Sequence, residues 1–271
     1  MKRLLSVLLL PLGLAAFPAL SYANHSWGNY HWARTINPFT LKLGDNVSSA
    51  WDAYLAAAST DWIVSDVLDT TIVPGLTTAK RCRPSSGRVE VCAATYGKNG
   101  WLGLASIWAS GSHITQGAAK MNDSYFNTAT YNTPAWRRLV MCQEIAHTFG
   151  LDHQDENFYD PNLGSCMDYT SDPDGPPSNE HPNAHDYEQL VTIYGSHTDS
   201  TTTLSQTGAQ GAMPPAMTDI DFEGPGQWGR LIRSTHNGRT ELYELDFGGG
   251  HKIFTFVIWA DEEDGGRGNR H

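Results

Sequence analysis

The sequence predicts an α+β chain, with several short strands, a central amphipathic helix, a closing helix and a small C-terminal β-meander. Three observations lead there. Apolar residues fall in short runs between residues 41 and 121, separated by turn formers. From Pro134 to Phe149 they recur at three- and four-residue steps, and Gly150 ends the pattern. At Ser196 the composition shifts to Ser, Thr, Gln, Gly and Pro, and three further strand-like runs follow.

Taken in order, Met1-Lys2-Arg3, the apolar run Leu4–Leu10 and the small residues of Ser21-Tyr22-Ala23 read as a secretory signal peptide cut after Ala23. Pro11, Gly13 and Pro18 interrupt the segment, which argues against a membrane anchor. Residues 24–36 are polar and aromatic and read as a short leader. Leu41–Asp45 is a strand, and Asp45 or Asn46 is placed to cap a helix through Trp51, Tyr54 and Leu55. Strands are expected at Thr71–Val73, Val89–Val91, Trp101–Trp108 and His113–Met121. Thr133-Pro134 opens the central helix, with proline where no backbone donor is needed. Asp186–Tyr194 is the closing helix. The last strands are expected at Gly229–Ser234, Thr240–Asp246 and Lys252–Ala260, with turns at His236-Asn237-Gly238 and Gly248–Gly250.

Charge and cysteine content narrow the function. Removing Lys2 and Arg3 takes the formal net charge from -11 to about -13, which disfavours nucleic acid as a partner. No later run is long and apolar enough to span a bilayer, so an exported, extracellular or periplasmic protein without a membrane partner is expected. Four cysteines in an oxidising compartment suggest two disulfides, Cys82–Cys92 and Cys142–Cys166, although four cysteines allow three pairings. No C-x-x-C spacing marks them as metal ligands.

The chemistry lies in Gln143-Glu144-Ile145-Ala146-His147-Thr148-Phe149-Gly150-Leu151-Asp152-His153. Residues four apart share a helix face, so Gln143 and His147 project together and Glu144 borders them. Gly150 permits a sharp turn that swings His153 back to complete a facial set of three. This segment resembles the H-E-x-x-H-x-x-G-x-x-H motif of metzincin zinc metallopeptidases, with glutamine in place of the first histidine. Ser165-Cys166-Met167-Asp168-Tyr169 resembles their methionine turn, and the closing helix is similar to that of matrixins. The resemblance covers about residues 40–195. It divides the chain into a signal peptide at 1–23, a metallopeptidase-like domain at 24–195, a linker at 196–219 and a β-meander extension at 220–271.

The resemblance implies a twisted mixed sheet, zinc held by Gln143, His147 and His153, and Met167 as the floor beneath them. It further implies peptide-bond hydrolysis through a zinc-bound water activated by Glu144, with Tyr169 stabilising the intermediate. A protein or peptide substrate would add as a strand beside Gly103–Ile107, at Leu104 and Ala105, and the enzyme would act as a monomer. Gln143 offers a neutral but weaker donor than imidazole, so looser zinc is expected. The alternative is a catalytically impaired metzincin that binds peptides or proteins. His113, His181, His185, His197, His236 and His251 have no marking spacing and read as surface or satisfied side chains. Asp152, Asp155, Glu156, Asp160 and Asp168 read as a solvated acidic loop, with calcium as the alternative.

Overall fold

A computed structural model describes residues 25–202, 214–217, 220, 222, 224–235 and 238–261. The expected signal peptide and part of the linker lie outside the described residues. The elements in chain order are β1 (His31–Trp32), β2 (Phe39–Asn46), α1 (Asp52–Trp62), β3 (Leu68–Pro74), β4 (Val89–Ala94), β5 (Trp101–Ser110) and β6 (His113–Asn122). There follow α2 (Asp123–Phe126), α3 (Pro134–His147), α4 (Ala184–Tyr194), β7 (Arg230–Ser234), β8 (Thr240–Asp246) and β9 (His251–Trp259).

The architecture is mixed α and β, built on one large mixed sheet. Its strand order is β3-β2-β4-β6-β5-β9-β8-β7, with β1 also paired to β6. Contacts from β3 through β6 are parallel, whereas β6–β5, β5–β9, β9–β8 and β8–β7 are antiparallel. α3 packs against β5 and β6, with α1 against its other side. It is buried along almost its whole length, so its polar residues need a local explanation.

Local chemistry explains the helix ends. The Thr133 side chain accepts from Trp136 N and caps α3, ahead of Pro134. The helix stops at His147, three residues before the glycine that ends the apolar pattern. Gly150 has φ +96, and a Cβ there would lie 2.5 Å from the Tyr30 carbonyl oxygen, so glycine is needed twice over. Asn183 and Asp186 form a reciprocal capping box on α4. α1 differs from expectation: it starts after Trp51 with no side-chain cap, and Asp45 and Asn46 belong to β2.

Two larger corrections concern the chain ends. The expected leader is part of the core, since Trp27 and Trp32 are buried. Trp27 N donates to Gly150 O at 3.0 Å and Trp32 Nε1 to Thr148 O at 2.8 Å, strapping the exit of α3. The meander, in turn, continues the main sheet. β9 pairs along β5, so Leu104 faces Val257 and Ala105 faces Phe256. The strand expected to accept a substrate is therefore an interior strand.

Both disulfides, Cys82–Cys92 and Cys142–Cys166, are formed. They are compatible with a secreted protein. Among the described residues no helix is long and apolar enough to cross a membrane.

Candidate metal centre and active site

Helix geometry places Gln143 and His147 one turn apart on α3, and the turn at Gly150 returns His153 to them. His147 Nε2 and His153 Nε2 lie 3.0 Å apart. Two nitrogens on a tetrahedral zinc, each at 2.0–2.1 Å, sit roughly 3.3 Å from each other, so the pair has the spacing of ligands. The Nδ1–H of His147 donates to Leu151 O at 2.9 Å, which leaves Nε2 with its lone pair. Burial lowers the His147 pKa well below the usual range and lowers that of His153 as well, favouring the neutral form that metal binding requires.

Gln143 fits the same centre. Its Nε2 donates to Cys166 O at 3.0 Å, which sets the orientation of the amide. Its Oε1 is buried with no hydrogen-bond partner. A buried acceptor in this condition is costly unless a cation or donor meets it. Cys166 is held by its disulfide to Cys142, so the residue before Gln143 and the carbonyl that orients it are covalently linked. Met167 is fully buried, and its backbone N–H donates to Ser165 Oγ at 2.9 Å.

Glu144 is 1% exposed and its Oε2 also lacks a partner. Burial raises its carboxyl well above the usual range. The carboxylate lies against β5 at Gly103, where an added Cβ would come within 2.3 Å of Glu144 Oε1. Tyr169 departs from its expected place. Its hydroxyl lies 3.3 Å from His153 Nδ1, the ring nitrogen opposite the one that faces His147. In this form it orients the imidazole and does not reach the metal side.

The meander closes the centre through three contacts. Phe256 stacks on His147, with centroids 4.2 Å apart and planes at 5°, and meets His153 edge-on at 4.8 Å. Arg233 forms a two-pronged ion pair with Asp152, and its Nε reaches Glu156 Oε1 at 3.3 Å. Thr240 hydrogen-bonds Tyr169. Burial alone would raise the Asp152 carboxyl, but hydrogen bonds from His153 and Arg233 outweigh it and hold the group far below its usual range.

The acidic loop is not a uniformly solvated one. Asp152 and Glu156 are engaged by Arg233, while Asp155, Asp160 and Asp168 gather with ligand atoms within 4.8 Å of one another. Asp168 is fully buried, and burial pushes its carboxyl up to about 6. Arg233, Phe256 and Gly103 carry no motif, and their roles arise from pairing across the sheet. His113 and His197 also depart from the reading as unremarkable side chains, since both approach Asp199 together with His31. The His197-Thr198-Asp199 spacing was the available signal.

A scan against protein-family models and a search of curated proteins find no match to this chain.

Proposed function

We propose that this chain is an exported zinc-dependent metalloendopeptidase of the metzincin type, held closed by its own C-terminal strands. One observation carries the reading. Two histidine Nε2 atoms 3.0 Å apart share a buried site with a Gln143 oxygen that has no partner, beside an unpaired Glu144 carboxyl. Zinc bound to Gln143, His147 and His153 would supply a Lewis acid that acidifies water and offsets the burial of Glu144. Glu144 accepts the proton from the attacking water and returns it to the leaving amine. Tyr169 and Leu151 fix the imidazole rings through their outer nitrogens, and Phe256 excludes water from the closed form.

Opening is the demanding step. Ile253, Phe254, Phe256, Val257, Ile258 and Trp259 of β9 are all at least nine-tenths buried. At roughly 1.5–3 kcal/mol each, their burial stabilises the closed form by on the order of 10 kcal/mol. That is comparable with the stability of a whole domain, about 5–15 kcal/mol, so a peptide substrate alone does not displace β9. The same closure, with the weaker Gln143 donor, favours a second reading in which the protein is a catalytically silent metal-binding scaffold.

The test compares zinc-loaded mature protein with Phe256→Ala and Arg233→Ala variants, each beside a Glu144→Ala control, on an unfolded protein substrate. Cleavage that rises on loosening the meander and vanishes with Glu144→Ala is expected. Full zinc occupancy with no cleavage above the control in any variant would establish the scaffold.

A further inference from the structure

A second cluster lies outside this centre, and no part of the proposed reaction uses it. His31 comes from β1, His113 opens β6, and His197 and Asp199 lie on the segment leaving α4. The side chains of His31, His197 and Asp199 bring one ligand atom each to within 4.8 Å of one another. His31 Nε2 is 3.3 Å from His197 Nε2 and 3.6 Å from Asp199 Oδ1. His113 Nε2 reaches the same Oδ1 at 3.2 Å. These separations bracket the roughly 3.3 Å expected between donors on one tetrahedral zinc.

The groups are also presented as ligands. His31 Nδ1–H donates to Asn29 O at 2.7 Å, so a neutral ring turns its Nε2 lone pair toward the cluster. Asp199 is held in place from behind. Its nitrogen donates to Arg34 O at 2.7 Å, and its Oδ2 accepts from Arg34 N at 3.1 Å and Nη1 at 3.0 Å. That leaves Oδ1 for the histidines. Arg34 Nη1 also approaches His197 Nε2 at 3.4 Å, a long contact that a metal ligand bond would replace.

We propose that His31, His197 and Asp199 form a second metal site for a zinc-class ion, with His113 beside it on Asp199 Oδ1. Two imidazoles and one carboxylate suit zinc, and the donors come from two segments far apart in the sequence, so a bound ion ties those segments together. The bound ion joins the start of the linker to β1, which pairs with β6, and so fixes where the chain leaves the first half of the sheet toward the meander.

The experiment strips the mature protein with chelator, reloads it with zinc, and measures bound metal by mass spectrometry. Three variants are compared with wild type: His147→Ala/His153→Ala, His113→Ala/His197→Ala, and all four changes together. His197 is exposed and His113 half-buried, so the outer variant keeps its fold, checked by circular dichroism. The inner variant is expected to retain one equivalent of zinc, to show the visible bands of tetrahedral cobalt when loaded with cobalt(II), and to melt at a higher temperature with zinc than without. The quadruple variant is expected to lose all three signatures. If the inner site binds nothing, wild type still holds one equivalent that the outer variant lacks, which separates this proposal from the peptidase reading. Equal zinc in wild type and the outer variant, or retention of the inner variant's zinc when the outer histidines are removed, would overturn it.

Discussion

The two histidine clusters, each proposed to hold a metal, are built in different settings. The inner one takes Gln143, His147 and His153 from eleven consecutive residues, buries them, and covers them with Phe256. The outer one assembles His31, His197 and Asp199 from two distant segments, with His113 of β6 beside Asp199 and His197 exposed. The inner cluster is built from helix periodicity and one glycine turn, so its geometry is local. The outer cluster exists only once β1, β6 and the segment after α4 have come together. A local cluster can keep a donor position open for chemistry, whereas a cluster of distant segments is suited to holding the chain in place.

Four changes break or sharpen that contrast, beginning with the largest. Glu144→Gln removes the proposed proton acceptor while preserving shape, and is expected to reduce cleavage by a loosened protein roughly 10²–10⁴-fold with zinc content unchanged. Loss of zinc along with activity would show that Glu144 serves the fold instead. Phe256→Ala uncovers the inner cluster and makes it resemble the outer one. It is expected to cost about 3–5 kcal/mol in urea unfolding of zinc-free protein, because the ring is 2% exposed and fills the space over both histidines.

Gln143→His gives the inner cluster imidazole in place of its weakest donor. Each ~1.4 kcal/mol of added ligation tightens zinc tenfold, and competition with a chelator is expected to show at least one such step. The smallest effect tests an acidic cluster that contains no histidine. Burial pushes the Asp168 carboxyl from the usual carboxylate range up to about 6. Its ionised form is disfavoured in the fold, so the stability contributed by this group falls as pH rises from about 4 to about 6. Asp168→Asn should therefore raise Tm by roughly 2–4 °C at pH 7 and leave it unchanged near pH 4. If calcium is held by Asp155, Asp160 and Asp168, adding it to wild type at pH 7 gives the rise, and Asp168→Asn abolishes that response.

Much of the inner cluster could be read from residue order because its determinants are local. Thr133-Pro134 marks the start of α3, the four-residue step from Gln143 to His147 marks a face, and Gly150 marks the turn. The runs that became β8 and β9 were legible for the same reason, since alternation and turn residues are local signals. Their partner was not. Nothing in Thr240–Ala260 specifies that it lies on β5, because register between distant strands depends on which buried faces match. Trp27 and Trp32 likewise sit in a run that reads as a leader although both are buried, since single aromatics reveal burial only when their neighbours are known. The resemblance puts Tyr169 on the metal side, but a place in the chain does not fix a rotamer, and its hydroxyl meets the far nitrogen of His153.

The extension of the sheet beyond β5 has a consequence for colloidal behaviour. With β9, β8 and β7 in place, the sheet's outer margin on that side is β7, where Leu231 and Ile232 are exposed. Arg230 and Arg233 stand on the same strand, and charged side chains on a margin oppose stacking with another molecule. Without the last three strands, the margin becomes β5, whose residues Trp101–Ala109 are apolar apart from Ser106 and contain no charge. Such a margin is a template for self-association. Loss of the C-terminal strands would therefore turn a dispersed protein into one that aggregates through β5, and a protease that released the centre by cutting them away would have a short working life.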